Sequence, residues 1–248
     1  MLNTLKKNII EAGETIKEGF SKPKEVTIKT TEIDLVTEYD VNVEEFLKTK
    51  FKENFPDFIF IGEESDNLEE YINNKDLKNY FIVDPIDGTT NFIKGFPYVS
   101  ISVAVYKDNK PYLGIVYNPI MNEFYHSFAG SNESFLNEKK IKVSKKEPGV
   151  LINATYQSHK KQNPKQEEID IINDLESTYL EKRVLHSAAL EMCYVAKGVF
   201  GVYATNHIKP WDIAAAKIIL EGAGGIVKDL FNKELNVLKV ETIKAFSK

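Results

Sequence analysis

Seven residues, Asp84-Pro85-Ile86-Asp87-Gly88-Thr89-Thr90, constrain this chain more than any other segment. Four strongly β-favouring residues, Tyr80-Phe81-Ile82-Val83, run directly into them, so Asp84 is expected at the end of a buried strand. Pro85 disfavours helical angles at Asp84 and keeps it extended. Asp87, followed by Gly88, Thr89 and Thr90, reads as an N-cap and the first turn of a short helix. Two carboxylates then stand beside a row of free backbone N–H groups. Carboxylates attract a divalent cation, and a helix N-terminus attracts a phosphate. Taken alone, Asp-Pro and Asp-Gly are also ordinary turn dipeptides, and short motifs produce false positives.

Two further segments favour the site over the turn. Phe58-Ile59-Phe60-Ile61 reads as a second buried strand and ends in Gly62-Glu63-Glu64-Ser65. Pro210-Trp211-Asp212 opens an apolar helix, Ile213 to Leu220. Glu63, Asp84, Asp87 and Asp212 therefore all fall at strand ends or helix starts. Brought to one point they would repel each other strongly without cations. Hard cations remove that cost, and Mg²⁺ commonly takes a few carboxylates together with substrate phosphate oxygens.

At these residues the chain resembles the inositol monophosphatase family. The matching blocks are Asp34-Leu35-Val36-Thr37-Glu38-Tyr39-Asp40, Gly62-Glu63-Glu64-Ser65, Asp84 through Asn91, Ser187-Ala188-Ala189, and Trp211-Asp212 with Gly222-Ala223-Gly224-Gly225. They keep the family's order and approximate spacing. The resemblance implies hydrolysis of a small phosphate monoester by metal-activated water, with two or three Mg²⁺ ions. It implies a first ion on Glu63, Asp84 and the Ile86 carbonyl, a second on Asp84, Asp87 and Asp212, and a weaker third beside Glu63. It implies that Gly88 and Thr89 hold the phosphate, that Glu63 and the Thr89 hydroxyl orient the water, and that Asp40 holds Thr89. It also implies inhibition by Li⁺ and a homodimer. Two positions depart from the family. Thr205 stands where members acting on inositol phosphates usually carry a glutamate, and His186 where glycine usually precedes Ser-Ala. Both positions line the leaving-group side of the pocket in relatives, and Asp87, Ser187 and Asp212 are expected with them among the substrate-binding residues. The alternatives are a fructose-1,6-bisphosphatase or 3′(2′),5′-bisphosphate nucleotidase of the same superfamily, or a non-catalytic regulatory protein on this fold. A lost metal ligand would mark the last, and none is lost. Lys29, eleven residues before Asp40, reads equally as a basic neighbour of the third metal site or as a surface lysine. Glu64 is expected to point away from the metal. His126 and His159 show no ligand spacing.

A chain of 248 residues with 42% hydrophobic and 28% charged residues is an ordinary globule. Its net charge of −5 gives no basic footprint for nucleic acid. The single cysteine, Cys193, excludes an internal disulfide and reads as a small core residue. No apolar run approaches membrane-spanning length, and Leu5-Lys6-Lys7-Asn8 followed by acidic residues does not read as a signal peptide, so a cytoplasmic protein is expected.

Leu2, Leu5, Ile9, Ala12, Ile16 and Phe20 recur at helical steps, with Pro23 closing the helix. A second helix is predicted over 38–53, strands over 58–61 and 80–84, a hairpin over 98–117 turning at Asp108-Asn109-Lys110, and a strand over 123–128. Beyond about residue 140 strand and helix alternate. Strands are predicted over 151–156, 182–185, 200–204 and, as the last, 226–228; helices over 167–175, 187–197 and 211–221. The polar segment 157–166 reads as a mobile loop, and the lysine pairs at 139–140, 145–146 and 160–161 as solvated loop charge. The shift in pattern suggests an α+β unit over 1–140 carrying most metal ligands and an α/β unit over 141–248 supplying Asp212 and the substrate pocket. The family resemblance implies a layered αβαβα sandwich of the sugar-phosphatase type, with an antiparallel-rich N-terminal sheet and a mixed C-terminal sheet.

Overall fold

The computed structural model describes residues 1–24, 26–28, 35–64, 68–74, 76–144, 151–155, 165–179 and 181–246. Lys29, Asp34, Ser65, His159, the lysine pairs at 145–146 and 160–161, and most of the polar 157–166 segment lie outside the described residues. In chain order the elements are α1 (Leu2–Phe20), β1 (Val26–Ile28), β2 (Leu35–Thr37), α2 (Glu38–Asn54), β3 (Ile59–Gly62), α3 (Leu68–Ile72), β4 (Tyr80–Asp87), α4 (Thr89–Lys94), β5 (Ser100–Lys107), β6 (Lys110–Asn118) and β7 (Glu123–Phe128). They continue with β8 (Ser134–Leu136), β9 (Lys139–Ile141), β10 (Leu151–Thr155), α5 (Gln166–Thr178), β11 (Glu181–Lys182), α6 (Ala188–Ala196), β12 (Val202–Thr205), α7 (Pro210–Gly222), β13 (Ile226–Lys228) and β14 (Ile243–Phe246).

The helical period of α1 is real: Leu5, Ile9, Ala12 and Ile16 are all buried on one face. With Val43, Leu47 and Phe51 of α2 they cover Phe81, Val83, Ile101, Val103, Val105, Leu113 and Ile115 on one side of a sheet ordered β3-β4-β5-β6-β7-β8-β9. Only β3 and β4 are parallel in that sheet; the rest is antiparallel. Asp108 and Asn109 join β5 to β6 with φ of 49° and 56°, the paired left-handed residues of a tight hairpin turn. The sheet's other side, through Ile82, Ala104, Val116 and Tyr125, packs on α6 and α7. Those helices in turn cover Tyr203, Val227, Ile243 and Ala245 of a mixed sheet ordered β11-β10-β12-β14-β13. Its outer side, Val202 and Ala204, packs on Ile172 of α5. The layers therefore run α1/α2, sheet, α6/α7, sheet, α5, the αβαβα order of the expected α+β sandwich.

Several local expectations are corrected. The strand expected over 182–185 stops at Lys182, because the Leu185 N–H is taken by the Glu191 carboxylate of α6 at 2.6 Å. β13 is not the last strand; β14 follows and lies between β12 and β13. Lys139 and Lys140 belong to β9 rather than a loop. Cys193 is buried, as expected of a core thiol, and burial pushes its pKa up. His126 is buried and stacked on Phe135 at 5.1 Å between centroids. Among the described residues no helix is long and apolar enough to cross a membrane.

Candidate metal centre

β4 does not end at Asp84. It continues through Pro85 to Asp87, pairing Asp84 with Ser102 and Asp87 with Ser100 of β5. Three steps on β4 thus face two on β5, a one-residue bulge. Side chains three apart on a regular strand point to opposite faces, and a bulge breaks that alternation. Both carboxylates accordingly reach the α6/α7 layer, Asp84 toward Asp212 of α7 and Asp87 toward the start of α6.

Asp84 is 2% exposed and its Oδ1 has no hydrogen-bond partner among the described residues. Ligand atoms of Glu63, Asp84 and Asp212 all lie within 4.8 Å of one another. Burial, and then the charges of Glu63, Asp87, Asp212 and Asp40, push the Asp84 carboxyl well above the usual carboxylate range. Glu63 follows β3, and its N–H donates to the Val83 carbonyl at 3.2 Å, which sets it directly beside Asp84. Asp212 occupies the third position of α7, where it accepts the Lys209 N–H at 2.8 Å, with Pro210 opening the helix. The Ile86 carbonyl accepts the Thr89 hydroxyl at 3.1 Å.

Asp87 has a different surrounding. Its Oδ2 accepts Ser187 Oγ at 2.6 Å, the Ala189 N–H at 2.9 Å and, weakly, Ser100 Oγ at 3.3 Å; its Oδ1 accepts the Ala188 N–H at 3.1 Å. It therefore satisfies the open N–H groups of α6, which its own N-cap Ser187 leaves without a side-chain bond. Burial outweighs these bonds and raises the Asp87 carboxyl to about 6. Asp87 thus stands beside the three-carboxylate cluster rather than within it. Nor is it the N-cap of α4: Gly88 takes that place with φ of 97°. A side chain there would also be tight, since an added Cβ would meet Tyr98 O at 3.0 Å and His186 O at 3.2 Å.

Asp40 lies at the third position of α2. Its Oδ2 accepts the Thr37 N–H at 2.8 Å and the Thr37 hydroxyl at 2.5 Å, while its Oδ1 accepts the Thr89 hydroxyl at 3.0 Å. Burial, opposed by those bonds and assisted by Glu63, raises its carboxyl to about 6. The sequence link between Asp40 and Thr89 is therefore a direct contact. His186 is exposed with φ of 56°, a left-handed conformation that explains the glycine usual there; histidine tolerates it better than most residues. Thr205 is 1% exposed at the end of β12, its hydroxyl 3.5 Å from the His207 N–H. Ser187 is likewise buried. Sequence reasoning missed Glu44, a buried carboxylate that accepts the Glu64 N–H at 2.9 Å, and Asn91, whose amide bridges the Tyr98 and Leu185 carbonyls at 2.8 and 2.6 Å. Glu44 lies four residues after Asp40, on the same helix face, which was the available signal.

The sequence model of the inositol monophosphatase family matches residues 1–246. The chain belongs to this family. Inositol monophosphatase 3 of Solanum lycopersicum is 38% identical over 232 residues, 92% of this chain and 85% of that protein. The Nus factor SuhB of Pasteurella multocida is 34% identical over 233 residues, again 92% and 85%. SaIMPase-II of Staphylococcus aureus, solved bound to inositol monophosphate and bound to 2′AMP, matches with TM-scores of 0.81 and 0.80 at 26% and 27% identity. Those matches cover 100% and 98% of this chain and 89% and 88% of that one. Members of the inositol monophosphatase family are phosphatases, and this chain is one. The donor set fits a hard cation: a buried Asp84 carboxylate with an unpartnered oxygen and two half-buried carboxylates, Glu63 and Asp212, in a group whose mutual repulsion a cation removes.

Proposed function

We propose that the protein is a Mg²⁺-dependent phosphatase of small polyol or sugar phosphates, inositol monophosphate among them. The observation that carries this reading is the unpartnered Asp84 Oδ1, buried between Glu63 and Asp212. A buried polar atom without a partner costs roughly 1–3 kcal/mol, so its retention suits a ligand that supplies the missing contact. Glu63, Asp84, the Ile86 carbonyl, Asp87 and Asp212 would hold two or three Mg²⁺ ions. Such ions supply positive charge to the phosphoryl oxygens and make water acidic enough to attack. Asp87 would share in holding an ion through Oδ1, which accepts one hydrogen bond among the described residues, from the Ala188 N–H, and keeps a lone pair.

The chain's own contribution is placement. The Thr89 hydroxyl has two acceptors in reach for its one proton, Asp40 Oδ1 at 3.0 Å and the Ile86 carbonyl at 3.1 Å, and with the proton held by either one its oxygen is free to accept from the attacking water and aim it. Glu63, half-buried in the cluster, accepts the same water's other hydrogen. Backbone N–H groups of Gly88 and Thr89 hold the phosphate. Of the expected substrate-binding residues, Asp87, Ser187 and Thr205 are buried, Asp212 is half-buried, and His186 is exposed. A pocket edge with an imidazole and no glutamate supports a broad substrate range. The SaIMPase-II structures with inositol monophosphate and with 2′AMP favour including nucleotide phosphates in that range. A cytoplasmic homodimer inhibited by Li⁺ follows from family membership, and the free, buried Cys193 suits a reducing compartment. Both faces of β5 are buried by helices of the same chain, so this strand offers no apolar face to a dimer.

The test is phosphate release from inositol monophosphate, a sugar bisphosphate and nucleotide 2′- and 3′-phosphates, with Mg²⁺ and with EDTA. Turnover that persists in EDTA, or no turnover on the whole panel, refutes the reading. Light scattering at micromolar concentration decides the dimer.

A further inference from the structure

We propose that Glu44 is a positioning residue for Glu63, and that α2 thereby sets both walls of the metal centre from a single rigid element. The inference rests on the metal-binding reading above. Glu44 is 2% exposed, and its Oε2 accepts the Glu64 N–H at 2.9 Å. The preceding N–H, that of Glu63, donates to Val83 O at 3.2 Å. Two consecutive amides around Glu63 are therefore pinned, one to β4 and one to α2. A third fixture is steric. A Cβ built on Gly62 would run into the Glu44 carboxylate, so the backbone before Glu63 lies close against that carboxylate and any larger residue there would push it aside.

Glu44 lies one turn beyond Asp40 on α2, and Asp40 is the residue that grips Thr89. The same helix face thus carries one carboxylate that holds the Thr89 side of the centre and another that holds the Glu63 side. A charged acceptor on a backbone N–H is stronger and shorter-ranged in its geometry than a neutral one, which suits a fixed turn. Residues behind metal ligands commonly change metal affinity by about 10–100-fold when removed. That range is the expected effect here.

The experiment measures Mg²⁺ affinity by isothermal titration calorimetry and, separately, kcat and KM at saturating Mg²⁺. Wild type, Glu44→Ala, Glu44→Gln, Gly62→Ala and the exposed control Glu45→Gln are compared. Glu44→Ala is expected to weaken Mg²⁺ binding by about tenfold or more. Glu44→Gln keeps an oxygen acceptor for the Glu64 N–H and should recover most of that loss. Gly62→Ala leaves Glu44 in the chain but displaces its carboxylate, and should reproduce Glu44→Ala. The KM for the phosphate substrate at saturating Mg²⁺ should stay within about twofold of wild type, since the substrate's own contacts are untouched. The inference is overturned if Gly62→Ala binds Mg²⁺ as tightly as wild type, or if Glu44→Gln is as impaired as Glu44→Ala. Should Glu44→Ala fail to fold, the Gly62→Ala and Glu44→Gln titrations still decide it. If wild type itself binds no Mg²⁺, the metal-binding reading fails, a different outcome from the failure of Glu44.

Discussion

Replacing Asp84 by Asn should make the metal-free protein more stable and the protein in Mg²⁺ relatively less so. Asp84 is buried, lacks a partner for Oδ1, and faces Glu63 and Asp212 across less than 4.8 Å. In the absence of a cation, ionised Asp84 bears both desolvation and like-charge repulsion. Asn removes the charge and offers an N–H₂ to the two neighbouring carboxylates. Removing a buried unsatisfied group is worth about 1–3 kcal/mol. For a chain of this length each kcal/mol moves Tm by roughly 2–4 °C, so Asp84→Asn should melt roughly 2–12 °C above wild type in EDTA. Mg²⁺ at 100 times Kd stabilises wild type by about 2.7 kcal/mol, or roughly 5–11 °C, and should leave Asp84→Asn almost unmoved. Differential scanning fluorimetry in EDTA and in a Mg²⁺ series reads both shifts. The reasoning is refuted if Asp84→Asn melts below wild type in EDTA, or if Mg²⁺ raises both proteins equally.

Three further outcomes are expected. Asp40 and Asp87 both have folded carboxyl pKa values of about 6 against an ordinary 3.8, so the fold holds protons that the unfolded chain releases; metal-free stability should be fully present below about pH 4 and fall as pH rises from about 4 to 6. Asp40 alone accounts for about 3 kcal/mol of that fall, and urea midpoints in EDTA should show a shallower decline for Asp40→Asn than for wild type. Asp87→Asn should lower kcat by about a hundredfold or more at saturating Mg²⁺. It should also cost about 1–2 kcal/mol of stability, because its amide would point a donor at an α6 N–H; near wild-type turnover would remove Asp87 from the metal site. Thr205→Glu should destabilise the protein by about 3 kcal/mol or more, because it buries an unpaired charge. A stable Thr205→Glu protein with a raised preference for inositol monophosphate in kcat/KM would show that the pocket does reach this position.

Much of the fold was legible because it is locally determined. The α1 stripe of Leu5, Ile9, Ala12 and Ile16 fixes a helix and its buried face together. The β-branched and aromatic runs at 58–61 and 80–83 announce the parallel pair at the head of the large sheet. β14 was not legible. Ile243-Lys244-Ala245-Phe246 is short and contains a lysine, and it becomes a strand because β12 and β13 each offer it an open edge. The strand expected over 182–185 failed for the opposite reason. Its residues favour extension, but Glu191, six residues on, removes the Leu185 N–H from any ladder.

The same division runs through the site. Asp84 and Asp87 present one signal in the sequence: two acids three apart, flanked by Pro and Gly. Their surroundings differ because of contacts about a hundred residues away in the chain. The bulge after Asp84 turns both toward the helical layer. α7 meets Asp84 with another acid, whereas α6 meets Asp87 with Ser187 and two N–H groups. One carboxylate is left wanting a cation, and the other is already held and needs only to share a lone pair. Spacing could identify the pair as chemically active. It could not assign those different states, since they depend on which helix N-terminus arrives beside which oxygen. On the metal-binding proposal, a cation should bind most strongly where the fold leaves the charge least compensated, at Asp84, and should draw on Asp87 with less to gain. The Asp84→Asn substitution should for that reason remove more Mg²⁺ affinity than Asp87→Asn.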